Sequence, residues 1–566
     1  MKHPRSTLER HNVTTPRAGR PAAAPAPSQQ PGPRHRPNPH LDADTPAVHP
    51  VVVVGAGPVG LALAIDLAQH GVPVVLLDDS HGLATGSRAI CFAKRTLEIF
   101  DRLGCGDAMV QKGVSWRLGK VFLRGQPLYQ FDLLPEAGHQ RPAFINLQQY
   151  HVEAYLAQRC AQLPLIDQRR QHAVVGIEQP DGPALLTVQT PDGRYQIAAQ
   201  YVAACDGSRS TLRRLLGQES TGRVFHDRFL IADVKMALDF PAERWFWFDP
   251  PFHPGQSVLL HKQPDSLWRI DFQLGWDADP QREKQPEHIL PRIKALLAHS
   301  AMKDADFTLE WASVYTFACQ RLAAFRHGRV LFAGDAAHGV SPFGARGANS
   351  GVQDADNLAW KLAYVLQGRA GDALLDSYGQ EREAAADENI GHATRATDFI
   401  TPKSEISRLF RDATLDLARQ HPFARTLVNS GRLSVPAVLH GSALNTADRD
   451  AFAGALAPGA PAADAPLTAS DRPGWLLRQL AAPGFHALVF DGPAAAAAVQ
   501  ALQHGAAGSV PLSVHRLPAD GLAAQRYDSR PGTAYLLRPD QHVCARWRQV
   551  ATADVQAALQ RALAAA

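Results

Sequence analysis

Val51-Val52-Val53-Val54-Gly55-Ala56-Gly57-Pro58-Val59-Gly60-Leu61 decides the fold. A short β-branched run ends in glycines. Leu61, Ile65 and Ala68 then fall at helical spacing, Gly71 stops the helix, and Val72–Asp79 reads as a second buried strand. The pattern predicts a βαβ unit, hence a parallel sheet with a right-handed crossover. In G-x-G-x-x-G, Gly55 permits the tight turn, Gly57 lets a pyrophosphate approach the backbone, and Gly60 lets helix and strand pack closely. The phosphate then sits on the N–H groups of a helix that opens at Pro58. Asp78 ends the second strand, where a carboxylate can take ribose hydroxyls. A glycine fingerprint alone is weak; in this context it points to a dinucleotide.

Two further turns follow buried strands downstream. Cys205-Asp206-Gly207-Ser208-Arg209-Ser210 comes after a strand over Tyr195–Ala204. Gly334-Asp335-Ala336-Ala337-His338 comes after Arg329–Ala333 and continues through Pro342-Phe343-Gly344-Ala345-Arg346-Gly347-Ala348-Asn349 into a long helix over about 348–367. An aspartate at a strand's C-terminal edge can bond a polyol chain or cap a helix. Residues 87–104 and 150–162 read as further helices, and Leu185–Gln189 as a strand before the turn at Pro191-Asp192-Gly193. From about 222 to 315 aromatics crowd alternating segments (Trp245–Phe248, Ser257–His261, Leu267–Leu274), which predict a mainly antiparallel sheet. Residues 453–472 are Ala/Pro-rich and read as a linker. Beyond them a strand over His486–Phe490, an Ala-rich helix, strands at Val510–Arg516 and Ala534–Arg538 and a terminal helix make a small α/β unit.

Composition bounds the rest. A chain of 566 residues needs several cores. Residues 1–47 carry seven basic and three acidic side chains, the whole net charge of +4. The neutral remainder gives no case for a nucleic-acid partner. That first segment is rich in Pro, Ala and Arg without apolar periodicity; it reads as disordered and has no secretory h-region. The longest apolar run, 51–68, is broken by Gly55, Gly57, Pro58, Gly60 and Asp66, so no membrane span is expected. Six scattered cysteines form no CxxC pair and no metal-ligand spacing; the expectation is reduced thiols in a cytoplasmic protein without a metal.

From about 48 to 400 the sequence resembles the single-component FAD-dependent aromatic hydroxylases, the group of p-hydroxybenzoate, phenol and 3-(3-hydroxyphenyl)propionate hydroxylases. The three fingerprints carry the resemblance as a set. It implies an α/β fold: a Rossmann-type FAD-binding domain in two parts (48–221 and 316–452), an inserted substrate domain (222–315), and a thioredoxin-like domain (473–566) after the linker. The last rests on Leu537-Arg538-Pro539-Asp540-Gln541-His542-Val543; its single cysteine, Cys544, excludes a dithiol mechanism. By the resemblance FAD is held noncovalently by the first fingerprint and Asp78. Asp206, Gly207 and Arg209 meet FAD and a visiting NAD(P)H; Asp335, after Gly334, holds a ribityl hydroxyl. Pro342 lies beside the flavin ring, and the amides of Gly347, Ala348 and Asn349 bind its N1–O2 edge, with Arg346 as an added cation. Arg88 and Gln149, the latter opening a Q-x-x-x-E helix start with Glu153, are the family's smaller cofactor contacts.

The implied reaction uses NAD(P)H and O2 to hydroxylate a small phenolic substrate ortho or para to its hydroxyl, through a C4a-hydroperoxyflavin. Phenol hydroxylase has an active-site aspartate in the stretch matching Arg88–Arg95, where this chain has Ile90 and Cys91. The catalytic base is therefore open among His226, His261, Asp271 and Tyr315, and Arg244 or Arg269 could clamp a substrate carboxylate. Two rivals remain: a flavin-dependent halogenase, from the W-x-W-x-x-P spacing of Trp245, Trp247 and Pro250, and a non-enzymatic FAD-binding protein. A homodimer is an open alternative to a monomer.

Overall fold

A computed structural model of the chain describes residues 11–12, 46–83, 89–238, 240–299, 305–428, 433–454, 456–467, 474–493, 495–505 and 510–564. Arg88 and most of the N-terminal segment lie outside them. Within that segment His11–Asn12 are described, paired antiparallel with Thr308–Leu309 at a sheet edge.

Strand β1 (Val48–Val54), helix α1 (Pro58–Gln69) and strand β2 (Val74–Asp78) form the βαβ unit. Val51–Val53 are fully buried because helices cover both faces of a parallel sheet, which is why the run is continuously apolar rather than alternating. Strand β3 (Gly193–Ala204) lies parallel to β1, with Ala204 beside Val54, and Val330–Phe332 lies parallel to β3 on its other side. The three strands that precede the three fingerprints are thus neighbours pointing the same way. The fingerprints leave one sheet edge together, at the carboxyl ends, where open α/β sheets bind ligands.

A second sheet holds β4 (Arg228–Met236), β5 (Arg244–Phe248), β6 (Ser257–Lys262), β7 (Leu267–Leu274) and β8 (Phe307–Tyr315), in the order β8-β4-β7-β6-β5. Leu118–Leu123 and Gln126–Asp132, from well before residue 222, extend it, and Leu118–Leu123 makes its one parallel pairing, with β5. One face buries Trp247, Leu260, Trp268, Ile270 and Phe272 under the helix Pro286–Ala298. The opposite face turns toward the nucleotide-binding unit.

Helix α2 (Gly347–Leu366) packs on α1, and α3 (Leu374–Ile400) packs on α2. The C-terminal unit has strands β9 (Phe485–Phe490), β10 (Leu512–Leu517), β11 (Ala534–Leu537) and β12 (Val543–Trp547) in the order β10-β9-β11-β12. Only β9 and β10 among these neighbours pair parallel.

Three local expectations differ. Residues 87–104 are not one helix: Cys91–Ala93 is a strand paired with Phe144–Asn146, and the helix covers only Lys94–Arg102. The long-range pairing overrides the local helical spacing. Within the expected linker over 453–472, the described residues 453–454 and 456–467 are not a free tether, and the others lie outside the described residues. Gly459 and Ala462 donate backbone hydrogen bonds to Val543 and Gln541, and Ala460, Ala462 and Ala465 are buried against the C-terminal sheet. The strand over Val543–Trp547 has no counterpart in the sequence reading. Among the described residues no helix is long and apolar enough to cross a membrane, and all six cysteines are free and buried.

Candidate functional site

The glycine turn has three different environments. Gly55 has φ +104°, and a Cβ there would lie 2.4 Å from the carbonyl oxygen of Cys205. At Gly60 a Cβ would lie 1.9 Å from the carbonyl oxygen of Gly55. At Gly57 it would meet nothing within 4 Å. Two glycines therefore let the chain pack on itself, and the middle one faces open space. Pro58 opens α1, whose first turn carries no acid and no side-chain cap, so its first N–H groups offer an anion site. Asp78 closes the turn: its carboxylate accepts from the Ala56 N–H at 2.6 Å and the Ser80 N–H at 2.9 Å, and pairs with Arg170 at 3.1 Å.

Asp206 caps a helix with one oxygen and leaves the other open. One carboxylate oxygen accepts from the N–H groups of Thr211 and Leu212 (2.8 and 3.0 Å), capping the helix Thr211–Leu215. The other is buried with no partner in the protein. Gly207 has φ +75° with open space beyond it, and Arg209 is exposed.

Gly334 packs on Val59 of α1, and Asp335 stands exposed on the following turn. Below it lies a buried cluster not singled out from the sequence. Asp354 of α2 accepts from Gly334 N–H (3.0 Å), His338 Nε2 (2.7 Å) and Arg382 Nε (2.7 Å). Burial pushes its carboxyl up, but His338 and Arg382 hold it below the ordinary value. The third fingerprint is thereby fixed to α2 and α3.

Pro342 is exposed, and Phe343 beside it packs edge-on to Phe229 of β4 at 4.8 Å. Arg346 is buried rather than solvated, and donates to Asn389 of α3 at 2.9 Å. Gly347, Ala348 and Asn349 are the first three residues of α2; the first bond within the helix is Ser350 N–H to the Arg346 carbonyl (2.8 Å). The Asn349 side chain accepts from Ala93 N–H (2.8 Å) and donates to the Cys91 carbonyl (2.9 Å), locking the helix start onto the strand Cys91–Ala93. Gln149 opens the helix Gln149–Ala161 and donates to Glu153 at 2.8 Å.

These residues fit FAD: an open second glycine, two long helices beginning without acidic first-turn residues, and an orphaned buried oxygen on Asp206. A pyrophosphate and an anionic ring edge suit the two helix N-termini.

A cavity lies between the second sheet and the Phe343–Gly344 loop, lined by Arg244, Phe246, Phe248, Phe343 and Gly344, with Ala396, Ile400 and Leu433 closing it. Behind it the polar candidates gather. Arg244 is buried and donates to His261 Nε2 at 3.2 Å; His261 lies 4.0 Å from the Cys91 sulfur. Burial, with Arg244 and Arg269 adjacent, keeps the His261 imidazole well below its usual pKa, so it is neutral. Arg269 is held by Asp233 through two bonds of 2.8 and 2.7 Å and is not available as a clamp. Burial raises the Asp271 carboxyl to about 6 against the pull of Arg269 and Arg244, and raises the Tyr315 hydroxyl well above its usual value. His226 is exposed, and no contact with this group is seen among the described residues. Trp247 belongs to the opposite, helix-covered face and Trp245 packs against it there, so the tryptophan spacing is core packing while Phe246 and Phe248 line the cavity.

The FAD binding domain family model matches residues 49–393. The chain is 33% identical over 339 residues to a probable NADH-specific resorcinol 4-hydroxylase of Rhodococcus jostii (strain RHA1), covering 59% of this chain and 62% of that one, less than two thirds of its length. It is 32% identical over 554 residues to 6-methylpretetramide 4-monooxygenase of Streptomyces rimosus, covering 92% and 94%. Its fold is similar to that of the flavin-dependent monooxygenase PieE, solved with FAD and substrate: TM-score 0.76 over 92% of this chain and 100% of that one, at 22% identity. Because the matched region contains the glycine turn, both later fingerprints and the sheet between them, the chain belongs to the FAD binding domain family, in the group of the FAD-dependent aromatic hydroxylases.

Proposed function

We propose that the protein uses NAD(P)H and O2 to hydroxylate a phenolic ring ortho or para to an existing hydroxyl. The observation that carries the reading is the cavity itself: a phenylalanine-lined space with one buried arginine, set against the loop that ends in the free N–H groups of α2. FAD, when bound, supplies the electron relay and the oxygen activation. Gly57 and the α1 N-terminus hold its pyrophosphate, Asp78 its ribose, Asp206 and Asp335 further hydroxyls, and the α2 N-terminus the ring edge that becomes anionic on reduction. Phe246, Phe248 and Phe343 exclude water and stack on the flat substrate.

Resorcinol and hydroxyphenylpropionate, named for relatives that align over 59% and 65% of the chain, stand for the small-phenol class. A polycyclic hydroxyarene is the second reading, favoured by the full-length similarity to the pretetramide monooxygenase. A panel spanning both classes is expected to contain compounds that accelerate NAD(P)H oxidation well above the basal rate. With isotopically labelled O2, one labelled atom enters the product. Product oxygen drawn from water, or ring bromination when bromide is supplied, would sink the hydroxylase reading and leave FAD binding standing.

A further inference from the structure

The polar face of the second sheet holds two charged groups that make no ion pair among the described residues. Pairing across the sheet puts Phe246, Leu259, Asp271 and Ile231 in one row, and Arg244, His261, Arg269 and Asp233 in the next row on the same face. Arg269 is neutralised by Asp233. Arg244 is buried, lines the cavity, and among the described residues bonds only the neutral His261, with no carboxylate within ion-pair distance. A buried cation without a counter-charge is costly unless an anion arrives. One row away, an oxygen of Asp271 is buried without a partner. Arg244 and Asp271 thus sit on the same face of the sheet, one row and two strands apart, too far to pair with each other but close enough to feel each other's charge.

We propose that Asp271 accepts the proton of the substrate's hydroxyl group while Arg244 holds the oxyanion so formed. The substrate O–H bond breaks, an O–H bond forms on Asp271, and the electron pair stays on the ring oxygen; no redox change is involved. The role rests on the hydroxyarene reading above and specifies it: the hydroxyl end of the substrate gives up its proton inside the cavity, beside the one arginine free to hold the oxyanion. It also accounts for Ile90 and Cys91, because the carboxylate comes from the sheet and not from that strand.

The pH dependence follows from the groups that face Asp271: Arg269 on its own strand, Arg244 on β5, His261 on β6, Asp233 on β4, Tyr315 on β8 and Cys91 from the strand opposite. Burial raises the Asp271 carboxyl to about 6, the two arginines oppose the shift, and Asp233 adds to it. His261 is already neutral, and Tyr315 and Cys91 keep their protons, so Asp271 is the group in this set that titrates between acid and neutral pH. It accepts a proton only when ionised, so turnover falls as pH drops through about 6.

The test uses the FAD-loaded chain and 4-nitrophenol, whose ionised form is coloured, first with no electron donor. Wild type is expected to bind the probe as phenolate at a pH below the probe's own ionisation, without releasing a proton to the buffer. Arg244→Met binds it neutral or more weakly. Asp271→Asn binds it as phenolate but releases the proton, seen with an indicator dye. In turnover, Asp271→Asn loses about 100-fold with an un-ionised phenol and much less with nitrophenol already ionised, at unchanged FAD content. No binding by wild type, binding only of the neutral form, or equal losses with both substrates would each overturn the proposal. The titration needs no turnover, so a chain that passes it yet never hydroxylates would discard the reaction and keep the site.

Discussion

Gly57→Val is expected to fold and to hold no FAD, whereas Gly60→Val is expected not to fold. Gly57 has φ −78° and ψ −176°, which any residue adopts, and a Cβ there touches nothing. Its valine side chain fills only the space into which the pyrophosphate must come. At Gly60 the Cβ would sit 1.9 Å from the Gly55 carbonyl oxygen, which is backbone and cannot swing aside. Opening the strand–helix contact costs about 3 kcal/mol or more at such an overpacked site, in the core that buries Val51–Val53. Flavin absorbance of the purified chain and its thermal unfolding curve separate the two defects. A yellow Gly57→Val protein with one FAD per chain would mean that the pyrophosphate lies elsewhere.

Arg538→Met is expected to remove about 3–5 kcal/mol of unfolding free energy, the usual cost of breaking one side of a buried ion pair. Arg538 is fully buried between units. It donates to both oxygens of Glu381 on α3 (2.6 and 3.0 Å) and to Asp540 (3.0 Å). Lys361 and Asn357 of α2 reach Glu381 at 2.7 Å each, and Arg95 donates to the Asp540 carbonyl at 2.7 Å. Burial pushes Glu381 and Asp540 up, but Arg538 leads the interactions that hold both far below the ordinary carboxylate range. Depressed carboxyls contribute stability above their unfolded values near 4 and lose it as pH falls further. Wild type should therefore shed more stability between neutral pH and strong acid than the variant. Urea titrations at both pH values measure this; an unchanged midpoint in the variant at neutral pH would rule out the network as a tie between units.

What could be read from the sequence was what is local. The Val51–Leu61 stretch states its strand, turn and helix within eleven residues, and the later fingerprints each follow a buried strand. That the three meet on one edge follows from β1 and β3 pairing across 150 residues, which no spacing displays. Residues 118–132 join a sheet whose other main strands begin at 228, again through a distant pairing. Ala/Pro composition at 453–472 suggested a tether, because backbone bonds to 541–543 leave no mark on composition. Arg269 and Arg244 looked equivalent as charges in alternating strands; only the register that puts Asp233 beside Arg269 tells them apart. Asp354 and Glu381 looked like ordinary helix acids, and their burial depends on how α2 packs against α3.

Helix α2 touches both ends of this molecule. Its first turn is the proposed seat of the flavin ring edge, Asp354 anchors the third fingerprint, and Asp356, Asn357 and Lys361 enter the ion network shared with the C-terminal unit. One helix thus serves both sites, so flavin affinity and the docking of the C-terminal unit are expected to be linked, and linkage is reciprocal. Whatever loosens the tail must weaken the hold on the cofactor by the same free energy that the cofactor lends to the tail. Truncating it to obtain a smaller catalyst should yield colourless protein even though the flavin contacts proposed here all lie upstream of residue 350.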